Sequence, residues 1–335
     1  MKPVVCFGEA LVDFLPVASA DPSQPRIFQQ HAGGAPANVA VAVAALGGKA
    51  EFVGMLALDT FAEFLLDSLH RAGVGTHHVQ RTGAAPTALA FVSLDAHGER
   101  SFSFYRPPAA DLLFRESKLS ASAFIDASIF HACSNSLTEQ GIAQTTLGCM
   151  RRARDAGVLV SFDMNLRPAL WPQGVDPGPR IHAALALADL IKLSAEELAF
   201  LADMAGGEAA ALNRIRNGHA KLILVTDGAR PLRWYTRQAE GILDTYTVHV
   251  IDSTAAGDAF SGGLLFALAR VGVQASDLDT LLADPARLES ILRFACACGA
   301  LATTRRGAFA AMPARAEVEI LMQTPVSGHL KVASL

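Results

Sequence analysis

The stretch Val158-Leu159-Val160-Ser161-Phe162-Asp163 decides the fold class. It is a short run with apolar residues on both faces, and a helical pattern over 138–156 leads into it. Similar runs alternate with helical patterns along the chain, at residues 4–7, 50–54, 128–132, 190–193 and 221–226. The helical patterns cover residues 35–46, 59–72, 181–188, 195–204, 257–269 and 288–304. This alternation predicts an α/β fold, with a mainly parallel central sheet and helices on both faces.

Two regions, residues 11–30 and 87–106, depart from the alternation. The second alternates apolar and polar residues around a turn at 95–98, which predicts a β-hairpin with one solvated face. We expect both regions to form a small β-lid that stands off the main sheet. The lid belongs to a single domain over residues 1–325, and residues 326–335 are expected to form a loosely held tail.

Composition narrows the function classes. A hydrophobic content of 51% supplies a large core, and a net charge of −4 without a basic block argues against nucleic acid as a partner. The five cysteines are too scattered for a disulfide scaffold, and Cys296 and Cys298 are interpreted as buried thiols. No apolar run is long enough for a membrane span, and Glu9 and Asp13 interrupt the N-terminal apolar stretch, so we expect a cytoplasmic protein.

The segment Asp252-Ser253-Thr254-Ala255-Ala256-Gly257-Asp258 carries the clearest chemistry. Its small residues followed by an apolar helical pattern predict a tight turn and a buried helix, whose first N–H groups can bind phosphate. Asp258 lies in the first turn, where it can accept a proton from a substrate hydroxyl. The helix dipole predicts a low pKa for this carboxyl. Taken alone, the pattern also fits an ordinary helix start.

Other polar residues follow the predicted strands, where ligands of parallel sheets collect. Gly33-Gly34-Ala35-Pro36-Ala37-Asn38 opens a helix, and its amide side chain offers a polyol both a donor and an acceptor. Asp13 follows the first strand, and the segment from Asp163 to Arg167 follows another. The alternatives are an ordinary helix start, a solvated Asp13, and a structural ion pair between Asp163 and Arg167.

Two further patterns are ambiguous. Ser194-Ala195-Glu196-Glu197 fits a capping box, or its last carboxylate could bind Mg²⁺ through water. At the end of the lid hairpin, Tyr105 or Arg106 could cover a substrate.

In this order, the motifs resemble those of the PfkB family of carbohydrate kinases, which have a ribokinase-like fold. Gly33-Gly34…Asn38 resembles the N-terminal signature of the family, and Asp252…Ala256-Gly257-Asp258 resembles the C-terminal one. The similarity runs over about residues 3–315. Finer features resemble the fructokinase-like branch, at residues 8–14, 102–106, 163–171 and 300–304.

The resemblance implies ATP-dependent phosphorylation of a sugar, with Asp258 as the base and the backbone of Ala255, Ala256 and Gly257 as the anion hole. It implies sugar contacts from Asp13, Gly33, Gly34, Asn38, Tyr105, Arg106 and Arg167. It implies nucleotide contacts from Lys192, Thr226, Gly228, Ala229, Cys296 and Gly299. Glu197 would place Mg²⁺ through water, and the backbone at Asp252 and Thr254 would bind K⁺. The lids of two subunits would pair in a homodimer.

Some positions depart from the family pattern, and none of them is the presumed base. Ser194 and Cys296 stand where Asn is frequent, Asp227 and Pro231 replace a usual Leu and Gly, and Leu58 replaces an acidic residue.

We expect D-fructose as the substrate and fructose 6-phosphate as the product. The alternatives within the class are a 2-keto-3-deoxygluconate kinase, a ribokinase and an aminoimidazole riboside kinase. The alternatives outside the kinase class are a non-catalytic sugar-binding protein of the same fold and a nicotinamide-dependent oxidoreductase. Against the oxidoreductase, Gly8-Glu9-Ala10-Leu11 replaces the glycine-rich turn of dinucleotide-binding folds.

Overall fold

The computed structural model describes residues 1–17, 25–94, 100–324 and 331–334. In chain order, the strands of this part of the chain are β1 (Val4–Phe7), β2 (Leu11–Pro16), β3 (Phe28–Gly33), β4 (Ala50–Ala57), β5 (Gly75–Thr82), β6 (Leu89–Leu94), β7 (Arg100–Tyr105), β8 (Ile129–Cys133), β9 (Leu159–Asp163), β10 (Leu190–Ser194), β11 (Leu222–Thr226), β12 (Leu232–Thr236), β13 (Ala239–Leu243) and β14 (Lys331–Ser334).

The α-helices of the described residues are α1 (Ala35–Ala45), α2 (Thr60–Arg71), α3 (Ser122–Ile125), α4 (Gln140–Asp155), α5 (Gly178–Leu185), α6 (Ala195–Ala205), α7 (Glu208–Arg216), α8 (Ala256–Arg270), α9 (Leu278–Leu282), α10 (Pro285–Ala302) and α11 (Arg315–Met322). All seven predicted helices are present, although α5 lies three residues earlier than expected, at 178–185 in place of 181–188. Across the described ranges, no helix combines the length and the apolar character that a membrane crossing requires.

The main sheet has the strand order β14-β13-β12-β11-β10-β9-β8-β1-β4-β5. Neighbouring strands from β11 to β5 run parallel, so the predicted α/β class and mainly parallel sheet are confirmed. The antiparallel edge of β12, β13 and β14 was not expected. The prediction of a loose tail is wrong for residues 331–334, because the edge of β13 offers backbone groups that β14 pairs with.

Three helices pack closely and bring distant parts of the chain together. A Cβ added to Gly262 of α8 would collide with the Ala42 side chain of α1. One added to Gly263 would lie 2.7 Å from the Cys298 Sγ of α10. Small residues therefore let the three helices approach closely, which places the starts of α1 and α8 side by side at the carboxyl ends of the strands.

The second sheet has the order β3-β2-β6-β7 and confirms the predicted lid. β6 and β7 form the expected antiparallel hairpin, and β2 pairs in parallel with β6. Aromatic rings hold the lid together, with Phe14 and Phe91 stacked at a centroid distance of 4.7 Å. The predicted turn at 95–98 and part of the first lid segment, 18–24, lie outside the described residues.

Candidate active site

The carboxylate of Asp258 is the point where the predicted motifs meet. Asn38 at the start of α1 donates its Nδ2 hydrogen to Oδ2 of Asp258, at 2.7 Å. Asn165, in the loop after β9, donates to the other oxygen at 3.3 Å. Asp258 is only 7% exposed. The two signature motifs are therefore in direct contact, although 220 residues separate them.

The pKa of Asp258 differs from the expectation. Burial raises it to about 6, and the charge of Asp163 adds to the rise. The hydrogen bond from Asn38 and the charges of Lys192 and Arg167 lower it, but they do not cancel the effect of burial. The predicted low pKa is therefore wrong, because loss of hydration outweighs the helix dipole. A carboxyl with this pKa is a competent base near neutral pH.

The start of α8 has the geometry of an anion site. Ala255 adopts a left-handed backbone, with φ of 58°, and no side chain caps the helix. The N–H of Ala256 donates to the carbonyl of Ser253 at 3.3 Å, and helix geometry leaves those of Gly257 and Asp258 without an intrahelical partner. A Cβ on Gly257 would lie 2.8 Å from Nζ of Lys192, so the glycine lets this ammonium group reach the turn.

Lys192 and Asp163 form a buried ion pair beside this turn. Nζ of Lys192 lies 3.1 Å from each oxygen of Asp163, and Ser261 of α8 donates to Oδ2 of Asp163, also at 3.1 Å. Burial lowers the pKa of Lys192, but Asp163, Glu197 and Asp258 raise it more, so the group remains charged. The alternative of an Asp163–Arg167 ion pair is wrong, because Arg167 is exposed and the partner of Asp163 is Lys192.

Asp13 and the paired glycines lie next to the base. A Cβ on Gly33 would overlap Oδ2 of Asp13, so only glycine leaves room for this carboxylate. Gly34 has φ of 104°, and a Cβ added there would lie 2.5 Å from the carbonyl oxygen of Glu9. Burial raises the pKa of Asp13 to about 7, and the nearby charge of Asp258 contributes to the rise. The alternative of a solvated Asp13 is wrong, since the side chain is largely enclosed.

Glu197 forms the capping box at the start of α6. Its Oε2 accepts the backbone N–H of Ser194 at 2.7 Å, and the Ser194 hydroxyl accepts the N–H of Glu197 at 3.1 Å. Its other oxygen accepts the N–H of Leu166 at 2.8 Å, which ties α6 to the loop after β9. Each carboxylate oxygen retains a second lone pair, so the proposed Mg²⁺ role through water stays a prediction.

A cavity of about 300 Å³ lies on the other side of the α8 turn. Five of the six predicted nucleotide residues line it, namely Thr226, Gly228, Ala229, Cys296 and Gly299. Lys192 is not in its lining and reaches the turn from the side of Asp163. Ala256 and Gly257 form part of the wall, so the cavity opens directly onto the predicted anion hole. Cys296 and Cys298 are buried free thiols, as expected.

The loop that carries the predicted K⁺ site is held by Asp252. Its two carboxylate oxygens accept the N–H groups of Thr254, at 2.9 Å, and Gly307, at 3.2 Å. Its own N–H donates to the carbonyl of Thr303 at the end of α10. The side chain thus shapes the loop, and ion binding by the backbone of Asp252 and Thr254 stays a prediction.

The two predicted sugar contacts from the lid hairpin have different environments. Tyr105 is 64% exposed and packs its ring against Phe91, with the centroids 5.4 Å apart. Arg106 is buried, with Nε donating to Asp111 at 2.8 Å and an Nη2 hydrogen to the carbonyl of Asn135, also at 2.8 Å. Arg106 therefore ties the end of the lid to the body of the protein.

Sequence reasoning missed two contributors to the site. Asn165 lies within the segment from Asp163 to Arg167, but its sequence pattern assigns it no role, and Glu9 is noted only as an interruption of an apolar stretch. Glu9 is 1% exposed and accepts the N–H of Ala35, at 3.2 Å, and an Nδ2 hydrogen of Asn135, at 2.9 Å. The signal available for both was a polar residue two positions after the end of a buried strand.

Comparisons with known proteins agree with this geometry. Residues 1–315 match the pfkB family of carbohydrate kinases. Fructokinase-1 of Oryza sativa subsp. japonica is 41% identical over 322 residues, which cover 96% of this chain and 98% of that protein. The match excludes the alternative of a nicotinamide-dependent oxidoreductase.

Two solved structures extend the comparison. Fructokinase from Xylella fastidiosa with bound ATP has a TM-score of 0.93 and 54% identity, covering 96% of this chain and 98% of that chain. Fructokinase from Vibrio cholerae O395, with fructose, ADP and calcium ion, has a TM-score of 0.83 and 34% identity, covering 96% and 99%. A double mutant of the latter binds fructose, ADP and potassium ion. With its ribokinase-like fold and both signature motifs at one carboxylate, the chain belongs to the pfkB family of carbohydrate kinases.

Proposed function

We propose that this protein is a fructokinase, which transfers the γ-phosphoryl group of ATP to the primary hydroxyl of D-fructose and releases fructose 6-phosphate and ADP. The observation that carries the proposal is the place of Asp258. Its buried carboxylate lies in the first turn of an uncapped helix, with a nucleotide-sized cavity against the same turn. The fructokinase relatives supply the identity of the sugar.

The sugar side of the site prepares the attacking hydroxyl. The carboxylate of Asp258 accepts the hydroxyl proton, and the sugar oxygen forms a bond to the γ-phosphorus as the bond to the bridging oxygen of ADP breaks. Asp13, Gly33, Gly34, Asn38, Tyr105 and Arg167 are the proposed sugar contacts, whereas Arg106, which is buried and paired with Asp111, holds the end of the lid in place. Asp13 accepts hydrogen bonds from sugar hydroxyls, and Arg167 and Tyr105 close the open side.

Negative charge is stabilised at the α8 turn itself, where the sugar side and the nucleotide side meet. The N–H groups at the α8 start and the ammonium of Lys192 face the transferred phosphoryl group, where charge develops. Lys192 is beside Gly257, so it serves this role without filling the turn. Mg²⁺ held through water by Glu197 would neutralise phosphate charge when bound, and K⁺ at the backbone of Asp252 and Thr254 would support the loop before α8.

We also propose a homodimer through the lids, and a cytoplasmic location. The lid carries exposed apolar side chains, Ile27 at 64% and Tyr105 at 64%, which a second lid would cover. All five cysteines are free thiols, which suits a reducing compartment.

The test is ADP release in a coupled assay with ATP, Mg²⁺ and K⁺ over fructose, ribose, 2-keto-3-deoxygluconate, aminoimidazole riboside and glucose. We expect turnover on fructose, and a loss of about 10²–10⁴-fold in kcat for Asp258→Asn. Asp189→Asn is the matched control, because Asp189 is also buried and pairs with Arg154. It directly precedes β10, so it lies at the amino ends of the strands, opposite the site. Preference for another sugar would change the substrate, and no turnover on any would favour a sugar-binding protein.

A further inference from the structure

The carboxylate of Asp258 is held at both oxygens by amide side chains. Asn38 reaches Oδ2 from α1, and Asn165 reaches Oδ1 from the loop after β9. Both amides are 6% exposed. Donors on the two oxygens fix rotation about the Cβ–Cγ bond of the base, whereas a single donor would restrict that rotation less.

The backbone of Asn165 is unusual. Within the described residues, Asn165 with φ of 36° and Ala255 with φ of 58° are the non-glycine residues with positive φ. Ala255 opens the helix that carries Asp258, so both strained residues frame the same carboxylate. Such conformations cost free energy and persist where the surroundings impose them.

Its surroundings impose this conformation from two sides. The N–H of Asn165 donates to Oδ1 of Asp163 at 3.2 Å, and its carbonyl accepts the hydroxyl of Ser134 at 3.3 Å. With both backbone groups held, the side chain is directed toward Asp258.

We propose that Asn165 is a positioning residue that orients the catalytic carboxylate of Asp258 together with Asn38. The inference rests on the proposed function, because the carboxylate needs orientation only if it accepts a proton. Without the Asn165 amide, Asp258 would be held at one oxygen, and its lone pair would meet the sugar hydroxyl in fewer orientations.

The amide donor also affects protonation of the base. Other groups facing Asp258 are Asp163 on β9, Arg167 in the following loop, Lys192 on β10, Asp13 on β2 and Cys133 on β8. A hydrogen bond to the charged form favours that form, so removing the Asn165 amide raises the pKa of Asp258. The acid limb of kcat/KM then moves to higher pH.

The experiment compares Asn165→Gly with the wild type. Glycine accepts a φ of 36° and removes only the amide, whereas Asn165→Ala also adds backbone strain. For Asn165→Gly we expect kcat to fall about tenfold to a hundredfold and the acid limb to move up by about one pH unit, with little change in the KM for fructose. Asn217→Gly, which removes an exposed amide at the end of α7 and touches no residue of the site, should leave the acid limb in place.

A second measurement needs no substrate. The contribution of Asp258 to the free energy of unfolding should decline with rising pH until Asp258 is ionised, and in Asn165→Gly this decline should extend about one pH unit higher. The difference should vanish in the Asp258→Asn background. Wild-type kcat and acid limb in Asn165→Gly, or an unchanged unfolding profile, would overturn the inference. An inactive wild type with a shifted unfolding profile would overturn the proposed function and leave the orientation by Asn165 standing.

Discussion

The α8 turn has a sugar side, around Asp258, and a nucleotide side, which is the cavity. The two sides differ in the kinds of residue that line them. On the sugar side, Asp163, Lys192 and Asp258 are ionisable groups enclosed among amides and a hydroxyl, with hydrogen bonds that join distant parts of the chain. On the nucleotide side, a cavity is lined largely by small and apolar residues, and the ion pair of Asp227 with Arg230 is exposed. Buried charges therefore set the reactivity of the sugar side, whereas the shape of the backbone sets how the nucleotide fits on the other side.

This difference has an energetic consequence. Charges taken out of water destabilise the fold unless they are paired, so the sugar side should respond strongly to single substitutions. Exposed pairs are screened, so the nucleotide side should respond weakly.

Lys192→Met should have the largest effect on stability. The side chains of Lys192 and Asp163 are 11% and 2% exposed, so removing the ammonium leaves a buried carboxylate without its counter-ion. We expect a loss of about 3–5 kcal/mol in the free energy of unfolding, measured with denaturant. Lys221→Met is the matched control, because its partner Asp279 is 45% exposed, and it should lose about 1 kcal/mol or less. Equal losses of stability in the two variants would show that burial does not determine the contribution of the ion pair.

Asp258→Asn should stabilise the protein at pH 8 while it lowers kcat by about 10²–10⁴-fold. The folded pKa of Asp258 is raised to about 6, so protonation favours the folded state at low pH, and this contribution is lost as pH rises through 6. The neutral amide avoids that loss, by on the order of 2–3 kcal/mol at pH 8. Unfolding at pH 8 and pH 4 measures it, and the two proteins should converge at pH 4. A variant no more stable at pH 8 would contradict the raised pKa.

Catalysis should depend on pH in the opposite direction from stability, because activity should increase as pH rises. The pKa values of Asp258 and Asp13 are about 6 and about 7. Asp258 must be ionised to accept a proton, and Asp13 accepts hydrogen bonds from sugar hydroxyls more strongly as a carboxylate. We expect kcat/KM to fall as pH decreases below 7, measured by coupled assay from pH 5 to 9. A flat profile down to pH 5 would show that neither carboxyl titrates in this range.

Gly34→Ala should separate close approach from backbone strain. Gly34 and Gly47 have φ of 104° and 84°, but a Cβ would meet the carbonyl of Glu9 only at Gly34, and no atom within 4 Å at Gly47. Gly47→Ala should cost about 1–2 kcal/mol through strain alone, and Gly34→Ala about 1 kcal/mol more, because of the clash. Only Gly34→Ala should raise the KM for fructose. Identical losses of stability and unchanged KM values would show that the close approach of Gly34 to Glu9 has no role in the site.

Arg230→Gln should have the smallest effect. Its guanidinium pairs with Asp227 at 3.1 Å, but its side chain is 80% exposed. We expect stability within about 0.5 kcal/mol of the wild type and a rise in the KM for ATP of at most about threefold, which high salt removes. A larger change would show that charge, and not only shape, governs the nucleotide side.

The sequence was sufficient for the centre of the sheet and for the two helix starts. The strands from β8 to β11 are apolar runs, and burial on both faces leaves a clear pattern. β5 was missed because Gly75–Thr82 is largely polar and lies at an edge, where one side needs no apolar residues. β12 and β13 were also missed, since they extend the sheet beyond its parallel part through antiparallel pairing.

Within the site, residue identities could be predicted, but their environments could not. The capping box of Glu197 is a local pattern and was anticipated. The pKa of Asp258 was misjudged, because the helix dipole is local and burial comes from Asn38, Asn165 and Asp163, which lie far away in the sequence. The partner of Asp163 was also misjudged, since Lys192 meets it only through the pairing of β9 with β10.

The hydrogen bond between Asn38 and Asp258 also bears on how the protein is made. It joins residues 220 positions apart, so a growing chain can complete the lid and nine of the ten described strands of the main sheet before the base has been synthesised. Because domains acquire their contacts as the chain emerges from the ribosome, activity should appear only after α8 has docked on α1. A partly synthesised chain then has no means of consuming ATP, and phosphoryl transfer begins only in a folded protein.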